Sequence, residues 1–422
     1  MDHHLSISRR LSILVLLILS GELIFFLPFV FARVFRPTLL EVYQISNLDL
    51  GYYFSVYGLV AMASYFAGGP LADKFSSRNL ISLALASTAL GGFVLALFPN
   101  KELLVWIYGY WGFTTIFLFW AALIKATRMW GGESFQGKAF GFLEGGRGAT
   151  AALVATGALL IFSDASSVAG DSSNSIARIE SYKKIMLLSS GLIVVCALIV
   201  RFIIPADKLI EKRAREILDF RKLLTLSKLP EIWLLAIIII CAYSGYKITD
   251  IFSLYANEIL NYNEYEAAGF GTFILWMRPV FAVLAGFIAD RFGTGKVIHY
   301  LFILMLLGSL LMLFEPQSSL YYLSILNLVL TVSGVYGIRA IYFAMIHESN
   351  IPLNATGAAV GLVSFLGFTP DVFMSLITGF LLDNNPGFMG FRLVFLLLSV
   401  LSILGASASY ILWKRTNQVK LD

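Results

Sequence analysis

The chain has 422 residues, 58% of them apolar and 14% charged, with a mean hydropathy of +0.81. Soluble domains are nearer half apolar and a quarter charged, and disordered chains need low hydrophobicity with high net charge, so both classes are excluded. The net charge of +5 sits in the segments between apolar runs, which points to membrane topology and away from nucleic acid.

A helix needs about 20 apolar residues to cross a hydrocarbon core. Such runs occupy 11–32, 50–72, 79–98, 102–126, 138–163, 184–204, 231–256, 267–290, 297–314, 320–346, 355–382 and 390–413, which predicts twelve spans. None alternates in polarity as the strands of a membrane barrel do. The first run is longer than a signal-peptide core and lacks a small-residue cleavage site, so it reads as a retained helix. Cys196 and Cys241 lie inside apolar runs, and His3, His4, His299 and His347 are scattered. No disulfide framework, metal site or cofactor is therefore expected.

Lys and Arg in the loops set the orientation. With the N-terminus cytoplasmic, nineteen of them fall inside, and six fall outside: Arg33, Arg36, Lys101, Arg178, Lys183 and Lys184. Both termini are expected in the cytoplasm, the membrane being the inner membrane of a bacterium. The polar, basic stretch 205–230 separates an N-terminal six-helix half, 1–204, from a C-terminal six-helix half, 231–422. The halves share a repeat: Gly69-Pro-Leu-Ala-Asp73-Lys74-Phe75 recurs as Gly286-Phe-Ile-Ala-Asp290-Arg291-Phe292, each between the second and third span of its half. Parallel repeats of this kind suggest duplicated halves around a central site.

The segment Gly69 to Arg78, with its copy from Gly286 to Lys296, resembles the signature of the major facilitator superfamily. The resemblance covers nearly the whole chain. It implies an all-α integral membrane protein of twelve helices in two pseudo-symmetric halves, a secondary transporter and not an enzyme. Asp73, Lys74, Arg78, Arg128, Asp290 and Arg291 then fall in or beside gating loops. The stretch from Arg128-Met-Trp-Gly-Gly through Gln136-Gly137-Lys138 to Glu144-Gly-Gly-Arg147-Gly looks like the sugar-phosphate permease, or organophosphate antiporter-like, branch. Thr369-Pro370-Asp371, Arg33 and Arg36 fit that branch too. It implies paired arginines on helices one and seven. Arg33 matches the first, whereas the second position reads Gly245, with Lys247 two residues on.

A charge at the centre of a membrane helix costs roughly 2.5–3.5 kcal/mol on insertion scales, so each one asks for a reason. They are Glu22, Lys125, Glu144, Arg147, Lys247, Asp250, Arg278, Arg339 and Asp371. Glu144 with Arg147, and Lys247 with Asp250, stand three apart and are spaced to pair on one helix face. Lys125 is placed to reach the interface. Arg278 and Arg339 have no acid three or four residues away, so a partner on another helix or an anion is expected to neutralise them. Arg278 precedes Pro279, where a kink can open a site. Among aromatic residues, Tyr52, Tyr53, Tyr57, Trp120, Tyr243, Tyr246 and Trp276 are candidates to line a polar cavity.

These residues predict a transporter of a small polar, anionic organic solute such as a sugar phosphate, sugar acid or sulfonate. Arg33, Lys247, Arg278, Arg339, Tyr57 and Trp276 are the expected substrate-binding set. Glu22 and Asp371 are the expected proton-coupling carboxylates; the coupling ion is a proton or a counter-anion. Glu144, Arg147 and Asp250 join the gating and salt-bridge residues. The partners expected are the solute and the lipid bilayer, with the chain a monomer. The alternatives are a proton-coupled carrier of neutral solutes, a drug efflux antiporter, or a transporter-like solute receptor.

Overall fold

A computed structural model describes residues 6–131, 136–166, 174–205, 226–314, 321–349 and 356–418. Among them there is helix and no strand. Among the described residues, eleven helices are long and apolar enough to cross a membrane. The run predicted at 50–72 is also helical, within Asn47–Lys74.

The chain divides into two compact units. The first comprises Met1–Glu211, Asp250–Asn257 and Asn261–Trp276; the second comprises Lys212–Thr249, Glu258–Leu260 and Met277–Asp422. This grouping departs from a division at 205–230 in one respect: two segments beyond residue 249 cluster with the N-terminal residues.

In the first unit, α1 spans Ile7–Val34. Its middle, Phe26–Val30, is a π-helical turn around Pro28, where the Phe31 N–H reaches back to the Phe26 carbonyl. Proline offers no N–H, and a wider turn lets the helix pass it without a break. After α1 come α2 (Arg36–Tyr43), α3 (Asn47–Lys74), α4 (Ser77–Leu95), α5 (Lys101–Gly131), α6 (Gln136–Ser166) and α7 (Asn174–Ile203). Gln44, at φ +50°, ends α2 in the left-handed region. Two residues later Ser46 and Asp49 close a capping box that starts α3. A second π-helical stretch, Phe113–Trp120, lies in α5. Just before it Gly112 lets α5 meet α3: a Cβ there would stand 2.6 Å from the Tyr57 carbonyl oxygen. Ala268 and Leu275 belong to the same apolar core as Ile13, Phe31 and Trp111.

Two helices continue from one unit into the other. The first, α8, runs Pro230–Glu258 and passes through a 3₁₀ turn at Thr249–Ile251. The second, α9, runs Glu264–Phe292 with Pro279 inside it. The second unit also contains α10 (Thr294–Leu311), α11 (Tyr321–Ile341), α12 (Thr356–Gly367), α13 (Pro370–Asn384) and α14 (Phe388–Gln418). Here too close packing depends on absent side chains. A Cβ on Gly334 of α11 would lie 2.6 Å from the Leu301 carbonyl oxygen of α10. Helices in lipid gain little from apolar contact alone, so small residues that let backbones approach supply much of the association.

Candidate functional site

The second unit holds a charged and aromatic cluster. Tyr243, Tyr246 and Lys247 stand at i, i+3 and i+4 on α8 and so share one face. Opposite them, Asp371 occupies the first turn of α13, directly after Pro370. The Lys247 ammonium lies 3.3 Å from Asp371 Oδ1. The Tyr243 hydroxyl donates to both oxygens of that carboxylate, at 3.0 and 3.1 Å. Arg339 of α11 lays its guanidinium 3.7 Å above the Tyr246 ring and 5.8 Å from the Tyr243 ring. An arginine held over an aromatic face keeps its N–H fork at the edge, the geometry that receives a carboxylate, sulfonate or phosphate in a bidentate manner. Lys247 is buried, whereas Arg339, Tyr243, Tyr246 and Asp371 each keep part of their surface accessible. Arg278 is buried on α9.

Asp250, three residues beyond Lys247, lies in the 3₁₀ turn at Thr249–Ile251. It receives Arg33 Nε at 2.6 Å, with both side chains almost wholly buried. Arg33, expected to grip substrate, is therefore engaged by a carboxylate of its own unit. Arg36 is likewise buried and donates to Asn47 Oδ1 at 2.9 Å.

A second cluster lies in the first unit around Arg147 of α6. Its Nε donates to Glu22 Oε2 at 3.1 Å and to the Gly21 carbonyl at 2.9 Å, and its Nη1 to Glu144 at 2.7 Å. The rings of Phe25 and Trp120 approach the guanidinium at 5.5 and 5.7 Å. Phe25 immediately precedes the π-helical turn of α1, and Trp120 ends that of α5. The two irregular turns thus deliver one aromatic residue each to the same arginine. Glu22, which has no basic neighbour on its own helix, finds one on α6, and Arg147 serves two carboxylates at once.

Other expected residues have local roles. Tyr57 is buried, its ring edge-on to Phe29 at 4.6 Å and its hydroxyl 2.6 Å from Thr115 Oγ1, so it packs helices together. Trp276 stays part exposed and donates to Thr156 Oγ1 at 3.1 Å. Lys125 reaches the loop end of a neighbouring helix. Its ammonium donates to the Ala72 and Phe75 carbonyls at 2.8 and 3.4 Å, where the end of α3 leaves acceptors unsatisfied. Lys74, Arg128, Asp290 and Arg291 are exposed, Arg78 is half-buried, and the Asp73 side chain lies outside the described residues. So do those of Gln136, Gly137 and Lys138, and with them the middle of the stretch that suggested the sugar-phosphate permease branch. Tyr243 and Tyr246 differ from the other aromatic candidates in their three-residue spacing beside Lys247, the signal in the sequence that sets them apart.

Comparison with known proteins places these features. Residues 17–370 match the model of the Major Facilitator Superfamily. The inner membrane protein YihN of Escherichia coli K12 is 26% identical over 98% of both chains. The inner membrane protein YqcE of the same strain is 26% identical over 92% of this chain and 91% of its own. Among solved structures, a mutant of the nucleoside transporter NupG superposes with a TM-score of 0.74 at 14% identity, over 96% of this chain and 99% of that one. A bacterial homolog of the human lysosomal transporter Spinster, inward-facing and unoccupied, gives 0.72 at 14% identity, over 97% and 98%. The chain is a multi-pass integral membrane protein that belongs to the Major Facilitator Superfamily of secondary transporters.

Proposed function

We propose that the chain carries a small anionic organic solute, of the sugar phosphate, sugar acid or sulfonate class, by alternating access. One observation carries this reading. In the spans of the first unit Arg33 meets Asp250, Arg147 meets Glu22 and Glu144, and Lys125 meets backbone carbonyls. In the second unit Lys247, Arg278 and Arg339 are three basic residues to one acid, Asp371, away from span ends. That excess of basic residues suits an anionic solute.

Arg339 supplies the fork, Lys247 a point charge, and Tyr246 the surface that orients the guanidinium. An incoming anion competes with Asp371 for Lys247, while Tyr243 retains a hydrogen bond to the displaced carboxylate. This favours Asp371 over Glu22 as the group that links solute binding to a coupling ion, since Glu22 is enclosed with Arg147. The setting is the bacterial inner membrane with both termini cytoplasmic, as the loop charges indicate, and the chain acts as a monomer.

Proteoliposomes test the reading. Uptake of glucose 6-phosphate, glucuronate and ethanesulfonate is compared with uptake of uridine, a neutral solute. At least one anion is expected to be transported, with Arg339→Gln and Lys247→Gln each lowering that uptake by roughly tenfold or more, the worth of one charge-assisted contact. Transport of uridine alone, or anion uptake unchanged in both variants, refutes the reading. An imposed pH gradient separates proton symport from exchange against internal phosphate.

A further inference from the structure

One end of the second unit carries an aromatic platform on an exposed face. The helices α10 and α14 run antiparallel there: Gly295, in the first turn of α10, meets Trp413 near the end of α14, and Phe302 meets Gly405. A Cβ on Gly295 would press on Trp413 Cβ at 3.1 Å, and one on Gly405 would strike the Phe302 ring. His299 ties the two helices. Its Nδ1 lies 3.0 Å from the Ala406 carbonyl oxygen, an atom that only accepts, so Nδ1 carries a proton. Around that imidazole stand the rings of Tyr410 at 5.4 Å, Tyr300 at 5.6 Å and Trp413 at 6.5 Å, the last stacked within 28°. The Lys414 ammonium lies 4.8 Å from the centre of the Tyr410 ring. Lys296 precedes His299 by three residues and Tyr300 by four, which puts it on their side of α10. Arg415 is held by Glu231 at 3.2 Å, so the charge offered beside the rings is that of the exposed Lys414 and the half-buried Lys296.

The surroundings point to the occupant. Leu307 follows Tyr300 by seven residues and Ile403 precedes Tyr410 by seven, so the same faces continue about 10 Å deeper as apolar surface, each residue 51% exposed. Both helices are long and apolar enough to cross a membrane, and those faces meet lipid chains. Tyr and Trp settle at the headgroup level, and a lysine stem laid over a ring directs its ammonium towards the phosphates. Here the rings are fixed to one another and to a backbone carbonyl, so a headgroup meets a surface already ordered and loses less freedom on binding. A soluble phosphate would find the same lysines but gain nothing from Leu307 and Ile403. A lipid uses both.

We infer that α10 and α14 form a binding site for one anionic phospholipid. Its phosphate lies against Lys414 and Lys296, its glycerol region on Tyr300 and Tyr410, and its acyl chains along Leu307 and Ile403. The site is independent of which solute is carried.

Native mass spectrometry of the delipidated protein, titrated in detergent with phosphatidylglycerol or phosphatidylcholine, tests it. Phosphatidylglycerol is expected to bind about fivefold more tightly or better, since phosphatidylcholine carries the same phosphate with a compensating ammonium. Lys414→Gln and Lys296→Gln should each weaken phosphatidylglycerol binding by about fivefold, the worth of one basic residue at an anionic headgroup. Tyr410→Ala, which removes a ring of the platform, should weaken both lipids. Arg9→Gln removes an exposed charge from the first unit and should leave binding unchanged. Glycerol phosphate, the headgroup without its chains, should not compete. Equal affinity for the two lipids, an effect of Arg9→Gln as large as that of Lys414→Gln, or no effect from the lysine substitutions or from Tyr410→Ala overturns the site. Displacement by glycerol phosphate at matched concentration overturns a lipid as its ligand.

Discussion

Replacing Arg147 by Met tests whether the first-unit cluster is organised around that side chain. The guanidinium has three acceptors, Glu22, Glu144 and the Gly21 carbonyl, and two aromatic neighbours. Methionine preserves much of the volume and removes the charge. Of the two carboxylates, Glu22 is 3% exposed, so it loses its counter-charge inside a low-dielectric interior. Glu144 has 49% of its side chain exposed and can turn to water. Breaking a buried pair from one side costs about 3–5 kcal/mol, whereas an exposed pair contributes about 0–1 kcal/mol. Arg147→Met is therefore expected to destabilise by about 3–5 kcal/mol and Glu144→Gln by less than about 1 kcal/mol. Glu22→Gln in the Arg147→Met background should recover about half of the loss or more, because the buried carboxylate has then been removed as well. Equilibrium unfolding of the purified variants in mixed micelles, followed by tryptophan fluorescence, gives these differences. Equal costs for Arg147→Met and Glu144→Gln, or a double variant no more stable than Arg147→Met, would refute the reasoning.

The remaining expectations concern packing, the two tyrosine sites and topology. Gly334→Leu should abolish monodisperse protein on gel filtration, because its Cβ meets the Leu301 carbonyl oxygen of α10, a backbone atom that cannot move aside. Tyr243→Phe removes the hydroxyl that holds Asp371 and should change anion affinity by roughly three- to tenfold in a thermal-shift titration, the worth of one hydrogen bond near charge. Tyr57→Phe removes a bond to Thr115 and should lower stability by about 0.5–1.5 kcal/mol while leaving anion affinity unchanged. Fusion of green fluorescent protein to the C-terminus should fluoresce, and fusion of alkaline phosphatase there should be inactive; the reverse pattern rejects the cytoplasmic placement drawn from the loop charges.

Helices, their order and the membrane environment were legible before any coordinates. A stretch of about 20 apolar residues can satisfy its backbone in lipid only as a helix, so length and composition suffice for that inference. The repeat around Asp73 and Asp290 and the set of intramembrane charges were equally plain, because each departs from a uniform apolar background. Which charges meet was not. Glu22 and Arg147 are 125 residues apart, and Arg33 and Asp250 are 217 apart, so nothing local in the chain relates them. Their encounter depends on which helix faces pack together. Lys247 and Asp250 stand three apart, yet the first reaches Asp371 and the second Arg33, both on other helices. Tyr57 and Tyr243 look alike as residues in apolar runs; only tertiary packing encloses the first and leaves the second beside a charged cluster. Hydropathy alone establishes the solvent, the order of the long apolar helices and the inventory of costly charges. The tertiary structure decided how those charges pair, because pairing is set by rotation and irregular turns along each helix, quantities to which hydropathy is blind.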